Sequence, residues 1–334
     1  MKTKNQSIKA PYSPPFNITE RIIELIAETN ERIGAIGSIN RNGVNPLLRR
    51  KNQIKTIHSS LAIENNSLSL EQVTDIVNGK HVLGTPNEIK EVKNAIKAYN
   101  VFSALNPYSM EDILKAHAIL MDGLVKDAGC LRSGGVGVFT GKELIHMAPP
   151  AKIVPALMRD LINWTKTSKM HPLIKSCVFH YEFEFIHPFS DGNGRMGRMW
   201  QTLLLSKWKQ FLTWLPVETI IRERQVKYYR ALAASDRAAD STVFVEFMLN
   251  AILDALDGFI QTEQVREQVT EQVEHLVKAL GQKTLSAKDL MKKLGLKHRQ
   301  SFSNLYLRPA LKFGLIEMTV PDKPNSSKQK YRRI

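Results

Sequence analysis

Apolar residues along this chain recur mostly at intervals of three and four, the spacing that buries one face of an α-helix. Asn17 or Thr19 stands where a cap belongs before Ile22, Ile23, Leu25 and Ile26. Ser109-Met110-Glu111-Asp112 opens a second helix through Ile113, Leu114, Ala118 and Leu120. The spans 151–165 (Ile153, Leu157, Leu161, Trp164) and 242–260 (Val243, Phe244, Phe247, Met248, Ile252, Leu256) repeat the pattern. The aromatic stretch Phe179, Tyr181, Phe183 and Phe185 reads as a partly buried helix end approaching a turn. Met199, Trp200, Leu203, Leu204 and Leu205 give a helix after it. The rhythm breaks between Leu131 and Pro150. Glycines at 134, 135, 137 and 141 with β-forming residues between them predict a hairpin turning near Thr140-Gly141-Lys142. The expectation to about residue 260 is therefore a mainly α fold with one small hairpin.

Beyond 260 the pattern changes. Glu-Gln-Val recurs at spacing four, leaving a Val265/Val269/Val273 ridge on a polar helix that reads as a connector. Ser286 is placed to cap a helix through Leu290, Met291 and Leu294 that Gly295 ends. A second helix runs from about Arg299 through Phe302 and Leu305 to Leu311 and Phe313. Gly314–Thr319 then begins a strand, and PDKPNSSKQK forms a wing before Tyr331. The whole has the outline of a winged helix-turn-helix, except that Pro309 should break or kink the would-be recognition helix. The domain scheme expected is 1–100 helical, 101–260 a catalytic core, 261–281 a connector and 282–334 the winged-helix domain.

Length and composition narrow the class. At 334 residues about two domains are expected. Two cysteines, Cys130 and Cys177, cannot build a disulfide framework and fit a reducing compartment, so a cytoplasmic location is expected. The N-terminal 28 residues lack the apolar run of a signal peptide, and no stretch approaches 18 apolar residues, so no membrane span is expected. The net charge is +15, and residues 271–334 hold fourteen basic side chains against five acidic, a surplus of nine. Such a tail suits DNA phosphates without reading sequence. A dimerisation module or a merely soluble basic face are the plainer readings.

The chemistry concentrates in His187-Pro188-Phe189-Ser190-Asp191-Gly192-Asn193-Gly194-Arg195-Met196-Gly197-Arg198. Gly192, Asn193 and Gly194 fall at a loop-to-helix junction, where unpaired backbone N–H groups and the positive helix end favour an anion. Arg195 and Arg198, three apart, project to one side with guanidiniums that match phosphate oxygens. Asp191 is placed for a Mg²⁺ bridging phosphates, and His187 for taking a proton from an attacking hydroxyl. A nucleoside triphosphate is the ligand this set fits. Taken singly, a histidine before proline is usually structural and paired arginines usually face solvent; it is their order and adjacency that carries the reading.

These twelve residues resemble the signature of the Fic family, H-x-F-x-[D/E]-G-N-G-R-x-x-R, at every fixed position. The resemblance implies a Fic-type helical domain with a β-hairpin flap. It also implies a protein adenylyltransferase, moving AMP from ATP onto a Ser, Thr or Tyr hydroxyl of a target protein, with self-modification included. By it His187 is the general base, Asp191 the Mg²⁺ ligand, Phe189 a core anchor, residues 192–194 the anion hole, and Arg195 and Arg198 the triphosphate arms. The related Doc-type kinases carry Lys where this chain has Gly194, which favours nucleotidyl over phosphoryl transfer. The flap would align the target's backbone, with Val136, Gly137 and Val138 nearest the nucleotide. Tyr228-Tyr229 resembles the family's adenine-side segment, although Asp236 stands where relatives often carry Asn. A Tyr pair on a helix is more often core than cofactor contact.

Upstream, Ser60-Leu61-Ala62-Ile63-Glu64-Asn65 resembles the family's inhibitory motif, [S/T]-x-x-x-E-[G/N]. Ser60 and Glu64 are four apart and share a face if the segment is helical. By the resemblance Glu64 pairs with Arg198 and occupies the place of the γ-phosphate. Holding about 99 % of molecules closed needs only about 2.7 kcal/mol, within reach of one ion pair. A winged-helix tail and dimers are common in such relatives, so DNA contact and a homodimer are expected partners. Two other readings stay open: a DNA-binding regulator whose Fic domain senses nucleotide, and removal of AMP by the same site.

Overall fold

A computed structural model describes residues 12–39, 46–140, 143–312, 315–321, 323, 324, 326 and 328–333. The chain divides into two compact units, Met1–Asp257 and Gly258–Ile334. Mainly helical architecture is what the apolar spacing predicted. No helix among the described residues is long and apolar enough to cross a membrane.

The first unit runs α1 (Glu20–Ile39), α2 (Pro46–Ile63), α3 (Leu70–Val77), α4 (Pro86–Val101) and α5 (Met110–Leu120) before its hairpin. Strands β1 (Gly137–Thr140) and β2 (Glu143–Met147) pair antiparallel, Gly137 opposite Met147 and Thr140 opposite Glu143, with a register shift between Val138 and Phe139. The predicted turn at Gly141-Lys142 lies outside the described residues. Then follow α6 (Val154–Thr167), α7 (Pro172–Ile186), α8 (Asn193–Trp208), α9 (Val217–Glu223), α10 (Gln225–Ala238) and α11 (Thr242–Leu280). Of the two expected caps for α1, Thr19 is the one used: its Oγ1 accepts from Ile22 N–H at 3.1 Å, while Asn17 is bonded to Asp240 and Thr242. Ser109 caps α5 as expected.

The core explains why α7 and α8 sit at the centre. Phe179, Phe183 and Ile186 of α7 and Met196, Met199, Trp200 and Leu203 of α8 pack with residues of α2, α4, α5 and α6. The aromatic segment is thus no mere helix end. Eleven of the fifteen residues of α7 are buried, with Ser176, His180 and Glu182 among them, so the helix is enclosed on more than one face.

In the second unit the last turns of α11 are structural rather than a spacer. Val273, Leu276 and Leu280 share a core with Leu290, Phe302, Leu307, Ala310, Ile316 and Tyr331. The connector expected over 261–281 therefore ends inside this core; the side chains of Val265 and Val269 lie outside the described residues. Strands β3 (Leu285–Ser286), β4 (Ile316–Met318) and β5 (Lys330–Arg333) form an antiparallel sheet in the order β3-β5-β4. Ser286 and Asp289 make a capping box on α12 (Ala287–Lys293), and Gly295 follows it at φ +67°. Phe313, Gly314 and wing positions 322, 325 and 327 lie outside the described residues.

Pro309 does not break its helix. α13 (Arg299–Phe302) widens into a π-helical turn at Ser303–Leu307 before α14 (Arg308–Lys312) resumes α geometry. Proline lacks an N–H, and its ring crowds the carbonyl four residues back; a widened turn just ahead relieves both problems.

Candidate active site

The site forms where α7 ends and α8 begins. His187 closes α7 in the left-handed region at φ +50°, its N–H bonded to Phe183 O at 3.0 Å. A non-glycine residue there is uncommon and marks a constrained turn. Glu184 O lies 3.2 Å from His187 Nδ1. A carbonyl only accepts, so Nδ1 carries the proton in the neutral ring and Nε2 is its basic nitrogen.

Buried side chains hold the loop between the helices. Phe189 is buried and stacks on His117, with ring centroids 3.6 Å apart. His117 Nε2 meets Asp191 O at 2.9 Å, and its Nδ1 accepts from Gly129 N–H at 2.8 Å, which fixes the Nε2–H tautomer. Burial lowers the pKa of His117, in keeping with a neutral ring. Asn193 spends its amide on the loop: Oδ1 accepts from Phe189 N–H and Nδ2 donates to Phe189 O, both at 2.9 Å. Only its backbone N–H, not its side chain, is therefore placed for an anion.

Gly192, at φ +84°, precedes α8, and no side chain caps the helix among the described residues. An uncapped N-terminus leaves donors and positive potential for a ligand. Gly194 is tightly enclosed, since a Cβ there would overlap Glu64 Oε1 and come within 3.0 Å of Arg198 Nη1. Glycine lets the carboxylate lie against the helix start.

The two arginines part company. Arg198 is 2 % exposed, donating from Nη2 to Glu64 Oε1 at 2.8 Å and Ser60 O at 3.0 Å, and from Nε to Ser60 Oγ at 3.2 Å. Burial opposes its charge, but Glu64, Tyr228 and Glu184 outweigh this and raise its pKa. Arg195, expected beside it as a second phosphate arm, points elsewhere and is already paired. Its Nη1 bonds Glu91 Oε1 at 3.0 Å and its Nη2 bonds Asp191 Oδ1 at 3.2 Å. Asp191 keeps its side chain 59 % exposed. Among the described residues no three metal-binding side chains cluster, so a cation here would rest on Asp191 and ligand oxygens. That donor set suits Mg²⁺, which prefers few carboxylates and retains water and phosphate ligands.

The expected inhibitory pair meets Arg198 with one revision. Ser60 lies in the last turn of α2, but Glu64 stands just past its end. Asn65 N–H bonds Ala62 O at 3.1 Å, and Asn66 N–H bonds Leu61 O at 3.1 Å, with Asn65 at φ +67°. This is a Schellman closure, and it gives the Asn of the motif a physical reason: asparagine tolerates the left-handed turn.

The tyrosine pair divides. Tyr228 is 1 % exposed, hydroxyl 3.1 Å from His180 Nε2, and it packs on Phe244 and Phe247; it is core, contrary to its expected adenine contact. Tyr229 is 38 % exposed and remains open to a ligand. Asp236 accepts from Tyr181 OH at 2.9 Å. Gly137 and Val138 lie on β1, and Val136 O accepts from Ala148 N–H at the hairpin's base.

Arg132 was missed by sequence reasoning. Its Nε donates to His187 O at 2.6 Å, while Nη1 reaches Gly134 O at 2.8 Å and Nη2 reaches Pro149 O at 2.5 Å. It ties the foot of the hairpin to the histidine loop through carbonyls alone. A buried arginine serving backbone acceptors leaves no pattern in sequence beyond its place before a glycine pair.

Comparison with known proteins agrees with this geometry. The Fic/DOC family model matches residues 107–205, and the model for the Fic-like C-terminal domain (filamentation induced by cAMP) matches 271–333. Curated relatives named protein adenylyltransferase Fic include those of Aedes aegypti, 27 % identical over 70 % of this chain and 45 % of that protein, and Drosophila melanogaster, 25 % over 73 % and 49 %. The chain spans about half the length of these curated relatives. Fic-1 of C. elegans (residues 134–508) shares the fold, with a TM-score of 0.59 at 21 % identity over 74 % of this chain and 76 % of that one. A Fic family protein from Desulfovibrio desulfuricans G20 is 53 % identical, with a TM-score of 0.75 over 97 % of this chain and 98 % of the other. Identity at that level, sustained along nearly the full length of both chains, means that this protein belongs to the Fic family.

Proposed function

We propose that this chain is a protein adenylyltransferase held in check by its own Glu64. It transfers AMP from ATP to a Ser, Thr or Tyr hydroxyl of a target protein. One observation carries the reading: a buried guanidinium, Arg198, at the uncapped start of α8, taken up by Glu64 where a terminal phosphate would otherwise pair.

In the reaction the target's hydroxyl oxygen bonds to the α-phosphorus as the bond to the bridging oxygen breaks and pyrophosphate leaves. The hydroxyl proton passes to His187 Nε2, whose basicity follows from the Nδ1–H bond to Glu184 O. Backbone N–H groups at the start of α8 stabilise the phosphate oxygens as charge shifts. Arg198 binds the outer phosphates once Glu64 withdraws, and Arg195 steadies Asp191 rather than reaching the nucleotide. Asp191 would hold Mg²⁺, which supplies charge neutralisation for the departing pyrophosphate. Val136, Gly137 and Val138 present a strand edge to the target's backbone, and Tyr229 rather than Tyr228 borders the adenine.

The test is incorporation of labelled AMP by the full chain. Glu64→Gly should label itself or lysate proteins far more than wild type, and Glu64→Gly/His187→Ala should not label at all. Equal labelling by wild type and Glu64→Gly would remove the restraint; labelling that survives loss of His187 would remove the base.

A second role rests on the second unit. Phe302, Leu307 and Ala310 face its core, while Ser301, Asn304, Arg308 and Lys312 are exposed. Together with exposed Lys297 and Arg299 they suit DNA phosphates. Binding of a mixed duplex that weakens steeply with salt, and less steeply for Arg308→Ala, would support it; salt-independent binding would not.

A further inference from the structure

Glu91 of α4 takes no step in the chemistry above, yet its carboxylate is divided between two elements that do. Its Oε2 accepts from Asn66 Nδ2 at 2.7 Å, and its Oε1 accepts from Arg195 Nη1 at 3.0 Å. Asn66 belongs to the turn that closes α2 behind Glu64. It is buried, its N–H bonds Leu61 O at 3.1 Å, its Oδ1 accepts from Leu68 N–H at 3.1 Å, and its Nδ2 also reaches Glu88 O at 3.2 Å. The body of α2 is held separately, by Ile54, Ile57 and Leu61 in the apolar core. Release of Glu64 is therefore a matter for the turn after Ile63, and Glu91 is one of its anchors.

On the other side Arg195 is 5 % exposed, and its Nε has no hydrogen-bond partner among the described residues. Nη1 and Nη2 form a fork that suits one carboxylate gripped by both prongs. Here the prongs go to two: Nη1 to Glu91, and Nη2 to Asp191 Oδ1 at 3.2 Å. A buried guanidinium needs a countercharge, so whatever Glu91 does not supply falls to Asp191. A guanidinium resting on Asp191 also opposes a second cation there.

We propose that Glu91 is a positioning residue that joins the restraint to the cation site. While the turn is closed, Asn66 holds one oxygen of Glu91, the fork of Arg195 is split, and Asp191 stays engaged. When the turn opens, Glu91 takes both prongs and Asp191 is left for Mg²⁺. The inference rests on the restraint described above, but its test reads ligand binding and exchange rather than transfer.

The measurement is ATP binding by calorimetry to the full chain carrying Glu64→Gly, with Mg²⁺ varied. Adding Asn66→Ala frees the second oxygen of Glu91 and should lower the Mg²⁺ needed for half-maximal binding about threefold, the scale of a partly exposed ion pair. Adding Glu91→Gln instead leaves Arg195 to Asp191 and should raise it by about the same factor. Both shifts should vanish in an Arg195→Met background, because they pass through the guanidinium. A glutamate that served stability alone would lower Tm in both variants without shifts of opposite sign. An unchanged or raised Mg²⁺ requirement in Asn66→Ala overturns the proposal, as does a Glu91→Gln shift that survives without Arg195. If Glu91→Gln does not fold, the sign of the Asn66→Ala shift decides. Without nucleotide, hydrogen exchange at the Asn66 amide should quicken about threefold when Glu91→Gln is placed in the otherwise wild-type chain, and unchanged exchange there overturns the proposal as well. Absence of AMP transfer from Glu64→Gly would defeat the enzymatic reading while leaving these binding and exchange patterns standing.

Discussion

Two helix ends meet at Arg198, and they are finished in opposite ways. The start of α8 has Gly192 where a capping side chain usually stands, so its donors and positive potential remain available. The end of α2 is closed on itself, with Asn65 and Asn66 returning to Ala62 and Leu61. An end that binds an anion has to keep its groups unspent. An end that carries a removable carboxylate benefits from having them satisfied, because Glu64 can then leave without unravelling its helix. On the proposed reading, activity and restraint thus occupy separate elements that share one guanidinium.

The largest expected effects come from emptying each side of that comparison. Replacing His187 with Ala in a Glu64→Gly background should cut AMP incorporation about a thousandfold, within the span of general-base contributions. On the other side, Glu64→Gly should raise incorporation by wild type as much as about a hundredfold, the limit for a site about 99 % closed. It should tighten ATP binding as well, since Arg198 is released. A rise in transfer with unchanged ATP affinity would mean that Glu64 misplaces the nucleotide rather than competing with it.

A gentler change tests the closure itself. Asn65→Ala keeps the β-carbon in the left-handed turn but loses the short polar side chain that makes the turn tolerable, at a cost of about 1 kcal/mol, whereas Asn65→Gly relieves the turn. The Ala variant should therefore be about fivefold more active than wild type, and the Gly variant close to wild type. Equal rates for the two variants would show that the turn contributes nothing to holding Glu64 in place.

How legible these features were follows from their range in sequence. The histidine loop could be read because its groups are neighbours and their order is constrained by one turn. The Glu64–Arg198 contact could be read only through resemblance, since it joins positions 134 apart. Arg195 was expected to project beside Arg198, but a spacing of three sets a direction and not a partner, and Glu91 of α4 pairs with the side chain. Arg132 and His117 left no signal, as each acts on groups brought near only by packing. The helix expected to fail at Pro309 survived because a local widening was cheaper than a break.

The smallest effect sharpens the line between core and site. Tyr228 and Tyr229 are adjacent, yet one hydroxyl is spent on His180 inside the core while the other ring is open to solvent. Tyr228→Phe removes one buried hydrogen bond and leaves His180 Nε2 short of a partner, a loss of about 1 kcal/mol. In a unit of this size that lowers Tm by roughly 2–4 °C. The KM for ATP should not change, because the ring that packs on Phe244 and Phe247 is retained. Tyr229→Ala should do the reverse, raising KM at nearly constant Tm. If Tyr228→Phe raises KM while Tm holds, its hydroxyl serves the nucleotide, and the boundary drawn between these two neighbours is wrong.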